Sequence, residues 1–147
     1  MRFVNPVTRS LLERGRPERI AEQLVILRFR GRRTGTAYDV PVGRRIIRDR
    51  MAVLTDSGWR VNFREGRDVD VTLKGRRYRA HASLTEDPSM VAEIYDELIE
   101  ELGARGAARH LGIRINVERR PTREELRAMV ERSGLSVLWL DLEGTGS

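Results

Sequence analysis

Alternating apolar and polar positions in the first half of the chain predict short β-strands. In the first apolar run Val25, Leu27 and Phe29 share one face, because successive side chains of a strand point to opposite sides. Glycine or charged residues separate most consecutive runs there, which is typical of hairpins. The predicted strands lie at residues 24–30, 37–47, 51–55, 68–74, 77–84 and 136–142.

A spacing of three or four residues between apolar positions predicts helices elsewhere. Residues 7–23 form an N-terminal helix in this interpretation. Asp87, which is followed by proline, fits the N-cap of a second helix, and the small residues of 103–112 predict a connection after it. A capping box over residues 122–125 begins a third helix, which Gly134 ends.

A further short helix is predicted over residues 59–65, between two of the strands. Ser57 or Asp56 fits its N-cap, and Gly66 fits its C-terminal stop. The amide groups of its first turn would be free donors, so we expect a potential anion site at its start.

The order of these elements predicts the fold class. No strand–helix–strand rhythm is present, so a parallel nucleotide-binding sheet is not expected. The elements predict a mainly β protein with flanking helices (α+β), built on a small antiparallel barrel. A chain of 147 residues is expected to form one domain. Its parts are an N-terminal helical segment at 1–23, barrel strands at 24–86, helices at 87–134 and a last strand at 135–143.

Composition excludes several classes of protein. There are no cysteines, which rules out disulfides, thiolate metal sites and cysteine nucleophiles. His81 and His110 lie far apart in sequence, so no metal site is expected. No run approaches the roughly 18 apolar residues of a membrane span. The first residues lack the apolar core of a signal peptide, and we expect a cytoplasmic protein without a transmembrane segment.

The charge is unevenly distributed along the chain. Residues 1–85 carry 20 basic and 9 acidic side chains, whereas residues 86–147 carry 8 and 13. A basic first half indicates an anionic partner, either nucleic acid or a phosphorylated small molecule. Only 5% of the residues are aromatic, and no alternation of arginine with aromatic residues forms a stacking platform, so nucleic acid is the weaker alternative.

The sequence GRRTG at residues 31–35 places Arg32 and Arg33 at the tip of the first predicted hairpin. Arginine offers a planar fork of donors that matches phosphate or carboxylate, so this basic turn suits an anion. The alternative is a solvated turn in an arginine-rich protein, in which every basic residue except Lys74 is arginine.

Groups for acid–base or nucleophilic catalysis are sparse, and no catalytic residue is assigned. Ser57 precedes a glycine, but the surrounding sequence does not form a nucleophile elbow. The acids of residues 93–101 fit the outer face of a helix better than a hydrolytic pair, and His81 fits a solvated strand face. A barrel of this composition is better suited to a cofactor that brings its own reactivity.

Three motifs in the chain together resemble those of a known family. They read Gly31-Arg-Arg-Thr-Gly35-x-x-Tyr38-x-x-Pro41-Val42, then Trp59-x-x-Asn62-Phe63-Arg64, then Gly75-Arg-Arg-Tyr78-x-Ala80. In this order they look like the deazaflavin-dependent nitroreductase family, which are split β-barrel relatives of the FMN-binding oxidoreductases. The similarity runs over nearly the whole chain. It implies a split antiparallel β-barrel with an FMN-binding-like fold and a site for the deazaflavin coenzyme F-420.

The resemblance also implies which residues hold the phosphate-bearing tail of this cofactor. Arg32, Arg33 and Thr34 would bind its phosphate or carboxylates, and Tyr38 would line the same groove. The segment that begins with the tryptophan would form the other wall. There Trp59 would pack at the start of the short helix, and Asn62 would fix that helix against the barrel.

In the same family the cofactor ring lies along two strands. Carried over, the backbone of Pro41, Val42, Leu54 and Thr55 would contact the ring. This chain departs from the family in a shorter loop before the short helix, without the lysine that is common there, and in Arg60, which stands where an aromatic residue is usual. Either Arg60 replaces the lost cation, or the tail is held more weakly.

The resemblance implies an oxidoreductase that transfers hydride to an electron-poor small molecule, such as a quinone, an enone or a nitro compound. FMN is the alternative cofactor, because both molecules carry a phosphate that the basic turn would accept. A ligand-binding protein of the same fold without this activity is a further alternative. The sequence names no proton donor, and a homodimer is compatible with it.

Overall fold

The computed structural model describes residues 24–111 and 120–143, and their strands form a curled antiparallel half-barrel sheet of seven strands. The predicted mainly β class with flanking helices is confirmed. Residues 1–23, for which a helix was predicted, lie outside the described residues. The strands are β1 (Leu24–Arg30), β2 (Ala37–Gly43), β3 (Arg45–Ile47), β4 (Arg50–Thr55), β5 (Arg67–Leu73), β6 (Arg76–Thr85) and β7 (Ser136–Leu142).

The order of the strands across the sheet is β2-β1-β5-β6-β7-β4-β3. β1 pairs antiparallel with both β2 and β5, and β5 pairs with β6. Val25 and Leu27 are fully buried, whereas Ile26 between them is 39% exposed, as the alternation predicts. The core on the buried face contains Val25, Leu27, Phe29, Val40, Val42, Val53, Trp59, Phe63, Val69, Val71, Ala80, Ala82, Leu138 and Leu140.

The run at residues 37–47, predicted as one strand, is two strands separated at Arg44. β2 pairs with β1, whereas β3 pairs with β4, so the two pieces stand at opposite ends of the strand order. The apolar pattern did not reveal the break, because a change of pairing partner leaves no mark on the alternation of side chains.

Two of the hairpins turn through residues with positive φ. Arg48 and Asp49 join β3 to β4 with φ of 54° and 62°, and Lys74 and Gly75 join β5 to β6 with φ of 51° and 78°. Positive φ at both central residues is the requirement of a two-residue type I′ turn, whose twist matches that of the flanking strands. These turns fix the register of both hairpins.

The described chain divides into two compact units. The first contains β1 to β6 and the end of β7, and the second is Thr85–Val137. In the second unit, α1 spans Pro88–Leu111 and α2 spans Arg123–Ser133. None of the helices in the described residues combines the length and the apolar character that crossing a membrane requires.

The ends of these helices confirm two predicted caps. The Asp87 carboxylate accepts a hydrogen bond from the Met90 amide at 3.1 Å, and Thr122 forms the predicted capping box with Glu125. The connection predicted at residues 103–112 is wrong over most of its length, because the chain is helical again after a break at Gly103 and remains so to residue 111. The alanines of this segment favour helix, and the positive φ that breaks the helix is at Gly103.

Candidate functional site

A groove of about 620 Å³ lies between the basic turn that follows β1 and the segment that follows β4. The second wall is a 3-10 helix at Gly58–Phe63. Both walls belong to the first compact unit. The groove is lined by Gly31, Arg32, Arg33, Thr34, Tyr38, Gly58, Trp59, Val61, Asn62 and Arg64.

The basic turn is closed by its own hydrogen bonds. The Gly31 amide donates to the Thr36 carbonyl at 2.8 Å, and the Gly35 amide donates to the Gly31 carbonyl at 3.0 Å. The Thr34 hydroxyl accepts from the Thr36 amide at 3.2 Å. Gly35 has φ of 70°, a conformation that glycine adopts without a steric cost. The turn therefore holds its arginines on a closed backbone loop.

Asn62 joins the two walls of the groove. Its side-chain oxygen accepts from the Arg32 amide at 2.9 Å, and its side-chain nitrogen donates to the Trp59 carbonyl at 2.8 Å. Arg32 adds a second link, because its guanidinium donates to the Val61 carbonyl at 3.3 Å. Asn62 therefore links the short helix to the basic turn, and its part in a cofactor site stays a prediction.

Aromatic side chains pack together beneath the groove. Phe29 stacks on Tyr38 with ring centroids 5.4 Å apart and meets Phe63 edge-on at 4.9 Å. Trp59 packs against both phenylalanines and is 6% exposed. Its indole N–H is buried without a hydrogen-bond partner in the described chain. An unpaired buried donor costs about 1–3 kcal/mol, so an acceptor that reached it would gain a hydrogen bond.

The rim of the groove is positively charged. Arg32, Arg33 and Arg64 line it, and none of its lining residues is acidic. Glu65 is an acidic residue that contacts this rim, and its carboxylate lies 3.3 Å from the Arg32 guanidinium. This pair is exposed, and such pairs are weak in water. The rim therefore keeps most of its positive potential for an anionic ligand.

The opposite face of the sheet carries a different arrangement of charge, which we call the charge ladder and define as Asp39, Arg28, Asp70 and Arg79. Arg28 contacts Asp39 at 2.8 Å, and Arg79 contacts Asp70 at 3.0 Å. The hydrogen bond from Asp39 raises the pKa of the Arg28 guanidinium, and the hydrogen bond from Asp70 raises the pKa of Arg79. Each of these carboxylates stabilises the charged form of the arginine that it contacts.

His81 lies beside this ladder on the same strand as Arg79. It is exposed, as predicted, and its Nδ1 lies 3.2 Å from the Asp68 carboxylate. No group of three or more histidine, aspartate or glutamate side chains within residues 24–111 and 120–143 is arranged to hold a metal ion. The acid–base groups of the described sheet thus lie away from the groove.

The structure brings together only part of the predicted cofactor site. Arg32, Arg33, Thr34, Tyr38, Trp59 and Asn62 line the groove. The four predicted ring contacts, Pro41, Val42, Leu54 and Thr55, do not. Val42 and Thr55 are buried as whole residues, at 1% and 2% exposure, so neither their side chains nor their backbone are open to a ligand in this structure.

Arg60 also does not line the groove. Its guanidinium donates to the carbonyls of Asp56 and Ser57, at 3.2 Å and 3.0 Å, so it closes the loop before the 3-10 helix. The groove instead contains Arg64, which the motif ending in Asn62-Phe63-Arg64 included but which was not chosen. The sequence signal that could have identified Arg64 is its position two residues after Asn62, in the same motif.

The second anion site expected at the start of the short helix is not supported. The helix is six residues of 3-10 helix, ending at Phe63 rather than at residue 65, and Ser57 makes no side-chain capping bond. The Arg60 amide already donates to the Ser57 carbonyl at 3.1 Å. So short a helix has few aligned peptide dipoles, and its contribution to the site is the placement of side chains.

Neither a model of a known protein family nor a curated protein sequence matches this chain. The resemblance to the deazaflavin-dependent nitroreductases therefore rests on the three quoted motifs alone.

Proposed function

We propose that the protein is an oxidoreductase that binds a deazaflavin, coenzyme F-420, with the anionic tail of the cofactor in the groove. The observation that carries the proposal is the groove itself. Its rim has Arg32, Arg33 and Arg64 and no carboxylate among its lining residues, and aromatic side chains pack beneath it. A phosphate-bearing tail attached to a flat ring matches both parts.

The residues of the turn have distinct parts in such binding. Guanidinium groups at the rim would contact phosphate or carboxylate oxygens, for which their planar fork is suited. Tyr38 is half-buried and stacked on Phe29, so it presents a fixed wall to the ligand. Asn62 keeps the turn and the 3-10 helix at a constant distance.

The position of β2 supports the proposed site of the ring. β2 is an end strand of the described sheet, so no further strand pairs with its outer edge. Pro41 and Val42 lie on this strand, a few residues after Tyr38. Pro41 is partly exposed at this edge and is the residue of the two that is open to a ring, whereas Val42 is 1% exposed and would have to be uncovered first.

When bound in reduced form, the deazaflavin would supply a hydride to an electron-poor acceptor such as a quinone, an enone or a nitro compound. The protein would position the two molecules and exclude water from the ring, which are the main contributions of a protein to cofactor chemistry. The described groove contains no histidine or carboxylate, so we propose that solvent supplies the proton.

Titration of the protein with coenzyme F-420 and, separately, with FMN tests the proposal. We expect binding of F-420 that quenches the fluorescence of Trp59 and weakens with added salt, since the tail is anionic. Reduced F-420 and a simple quinone should then react faster with protein than without it. Tight binding of FMN without binding of F-420 would transfer the proposal to FMN, and binding of neither would contradict it.

A further inference from the structure

The two arginines of the basic turn are adjacent in sequence but differ in their contacts. Arg32 contacts the opposite wall twice and Glu65, just beyond that wall, once. Its amide donates to Asn62, its guanidinium donates to the Val61 carbonyl, and the same guanidinium lies 3.3 Å from the Glu65 carboxylate. Its side chain is committed to the protein's own groups.

Arg33 has none of these contacts. It is exposed and lines the groove, and within residues 24–111 and 120–143 it makes no ion pair or hydrogen bond. None of its five N–H donors is therefore committed to a group of the described residues. A phosphate that approached Arg33 would displace no contact made there, whereas at Arg32 it would compete with Val61 and Glu65.

The contacts of Arg32 also bear on the shape of the groove. Residues 31–34 form one wall and residues 58–62 the other, and two hydrogen bonds of Arg32 cross between them, one to Asn62 and one to Val61. The side-chain nitrogen of Asn62 in turn donates a hydrogen bond to the Trp59 carbonyl at 2.8 Å. Loss of the Arg32 contacts would weaken the connection between the two walls while Arg33 stays on the rim.

We propose that the basic turn divides its labour: Arg33 binds the anionic group of the ligand, and Arg32 is a positioning residue that holds the two walls together. This inference rests on the proposed anion-binding role of the groove, but not on the identity of the cofactor. It separates two residues that the sequence treats as equivalent.

Matched substitutions to glutamine separate the two roles. Arg32→Gln removes the charge but keeps the backbone amide for Asn62 and a side-chain N–H within reach of Val61. Arg33→Gln removes a positive charge in the same way from Arg33, which has no ion pair or hydrogen bond within the described residues. Arg77→Gln is the control, because Arg77 is an exposed arginine of β6 that is not among the groove's lining residues and has no ion pair within the described residues.

The probe is inorganic pyrophosphate, and its affinity is measured by titration calorimetry over a series of salt concentrations. We expect Arg33→Gln to weaken binding about tenfold, as loss of a charge-assisted hydrogen bond does, and to make the salt dependence shallower. Arg32→Gln also removes a positive charge from the rim, and we expect it to weaken binding clearly less than Arg33→Gln does, whereas Arg77→Gln should stay within about twofold of the unsubstituted protein.

A second readout reports the positioning role in the absence of ligand. Amide hydrogen exchange over residues 58–65 should rise in Arg32→Ala, return toward the unsubstituted rate in Arg32→Gln, and stay unchanged in Arg33→Ala. Equal losses of pyrophosphate affinity in Arg32→Gln and Arg33→Gln would overturn the division. So would unchanged exchange in Arg32→Ala, or failure of the unsubstituted protein to bind pyrophosphate.

The outcomes also distinguish this inference from the proposed function. If pyrophosphate binds with the expected difference between the arginines and F-420 does not bind, the division of labour stands and the deazaflavin proposal fails. If F-420 binds and Arg33→Gln leaves both affinities unchanged, the deazaflavin proposal stands and the division fails.

Discussion

The rim of the groove and the charge ladder show the same residue type used in two ways on one sheet. On the ladder each arginine contacts a carboxylate, Arg28 at Asp39 and Arg79 at Asp70. On the rim Arg33 contacts no carboxylate within the described residues. In a chain whose basic residues are nearly all arginine, the count of arginines identifies neither surface. What separates Arg33 from the arginines of the charge ladder is the absence of a neighbouring carboxylate within the described residues, whereas Arg32 on the same rim contacts Glu65.

The largest expected effect contrasts the two faces of β1 at neighbouring positions. Phe29→Ala removes a buried ring that touches Tyr38, Trp59 and Phe63, and we expect the free energy of unfolding to fall by about 3–5 kcal/mol. Urea unfolding followed by circular dichroism measures this change. Arg28→Ala on the other face is the control, and a loss there as large as that of Phe29→Ala would contradict the assignment of the core face.

A smaller loss of stability is expected from substitutions at two glycines that line the groove. A Cβ at Gly31 would lie 3.0 Å from the Tyr38 ring, whereas a Cβ at Gly58 would meet no atom within 4 Å. We expect Gly31→Ala to cost about 1–3 kcal/mol through displacement of Tyr38, and Gly58→Ala to cost much less. Thermal unfolding of both variants measures the difference, and equal stability would show that Tyr38 moves aside freely.

Removing the carboxylate that contacts Arg32 should increase the affinity of the rim for an anion modestly. Glu65→Gln removes the carboxylate that contacts Arg32, and we expect pyrophosphate to bind about twofold to threefold more tightly, within the range of an exposed ion pair. Asp49→Asn is the matched control, because it removes the same charge at the turn between β3 and β4. An equal gain in the control would show that only net charge matters.

The smallest effect is expected from the ladder. The pKa values of Arg28 and Arg79 are raised, so any stability from their charge is complete below the pKa that each has in the unfolded chain. It is lost only as the pH rises through the higher pKa of the folded state. The double variant Arg28→Ala/Arg79→Ala should therefore differ from the unsubstituted protein by the same amount at every pH from about 7 to 10. A difference in unfolding midpoint that changes across this range would contradict this interpretation.

Much of the fold could be predicted because its strands bury one face. Val25 and Leu27 alternate with exposed residues, and that alternation fixed both the strand and its orientation. The helix caps at Asp87 and Thr122 could also be read, since capping depends on residues three positions apart. The break at Arg44 was missed, because pairing partners are chosen by the whole sheet and not by the local sequence.

The candidate site could be predicted less completely. The turn at residues 31–35 and the segment from Trp59 to Asn62 were chosen by motif, and the structure places them opposite each other. The proposed division into a binding and a positioning residue could not be predicted, because Arg32 meets Asn62 across 30 positions of sequence. The contacts of Arg60 with the Asp56 and Ser57 carbonyls could not be predicted for a related reason, since they belong to a loop whose shape follows from tertiary packing.

The place of β7 in the strand order bears on how this protein is made. β7 is the last of the described strands in sequence, yet it stands between β6 and β4. Until it is added, the described strands can pair only as two separate pieces, β2-β1-β5-β6 and β4-β3. A chain emerging from the ribosome therefore cannot complete this sheet until residues 136–142 are free. Until then the strand edges on β6 and β4 stay open, and they are the places where premature association with another chain would begin.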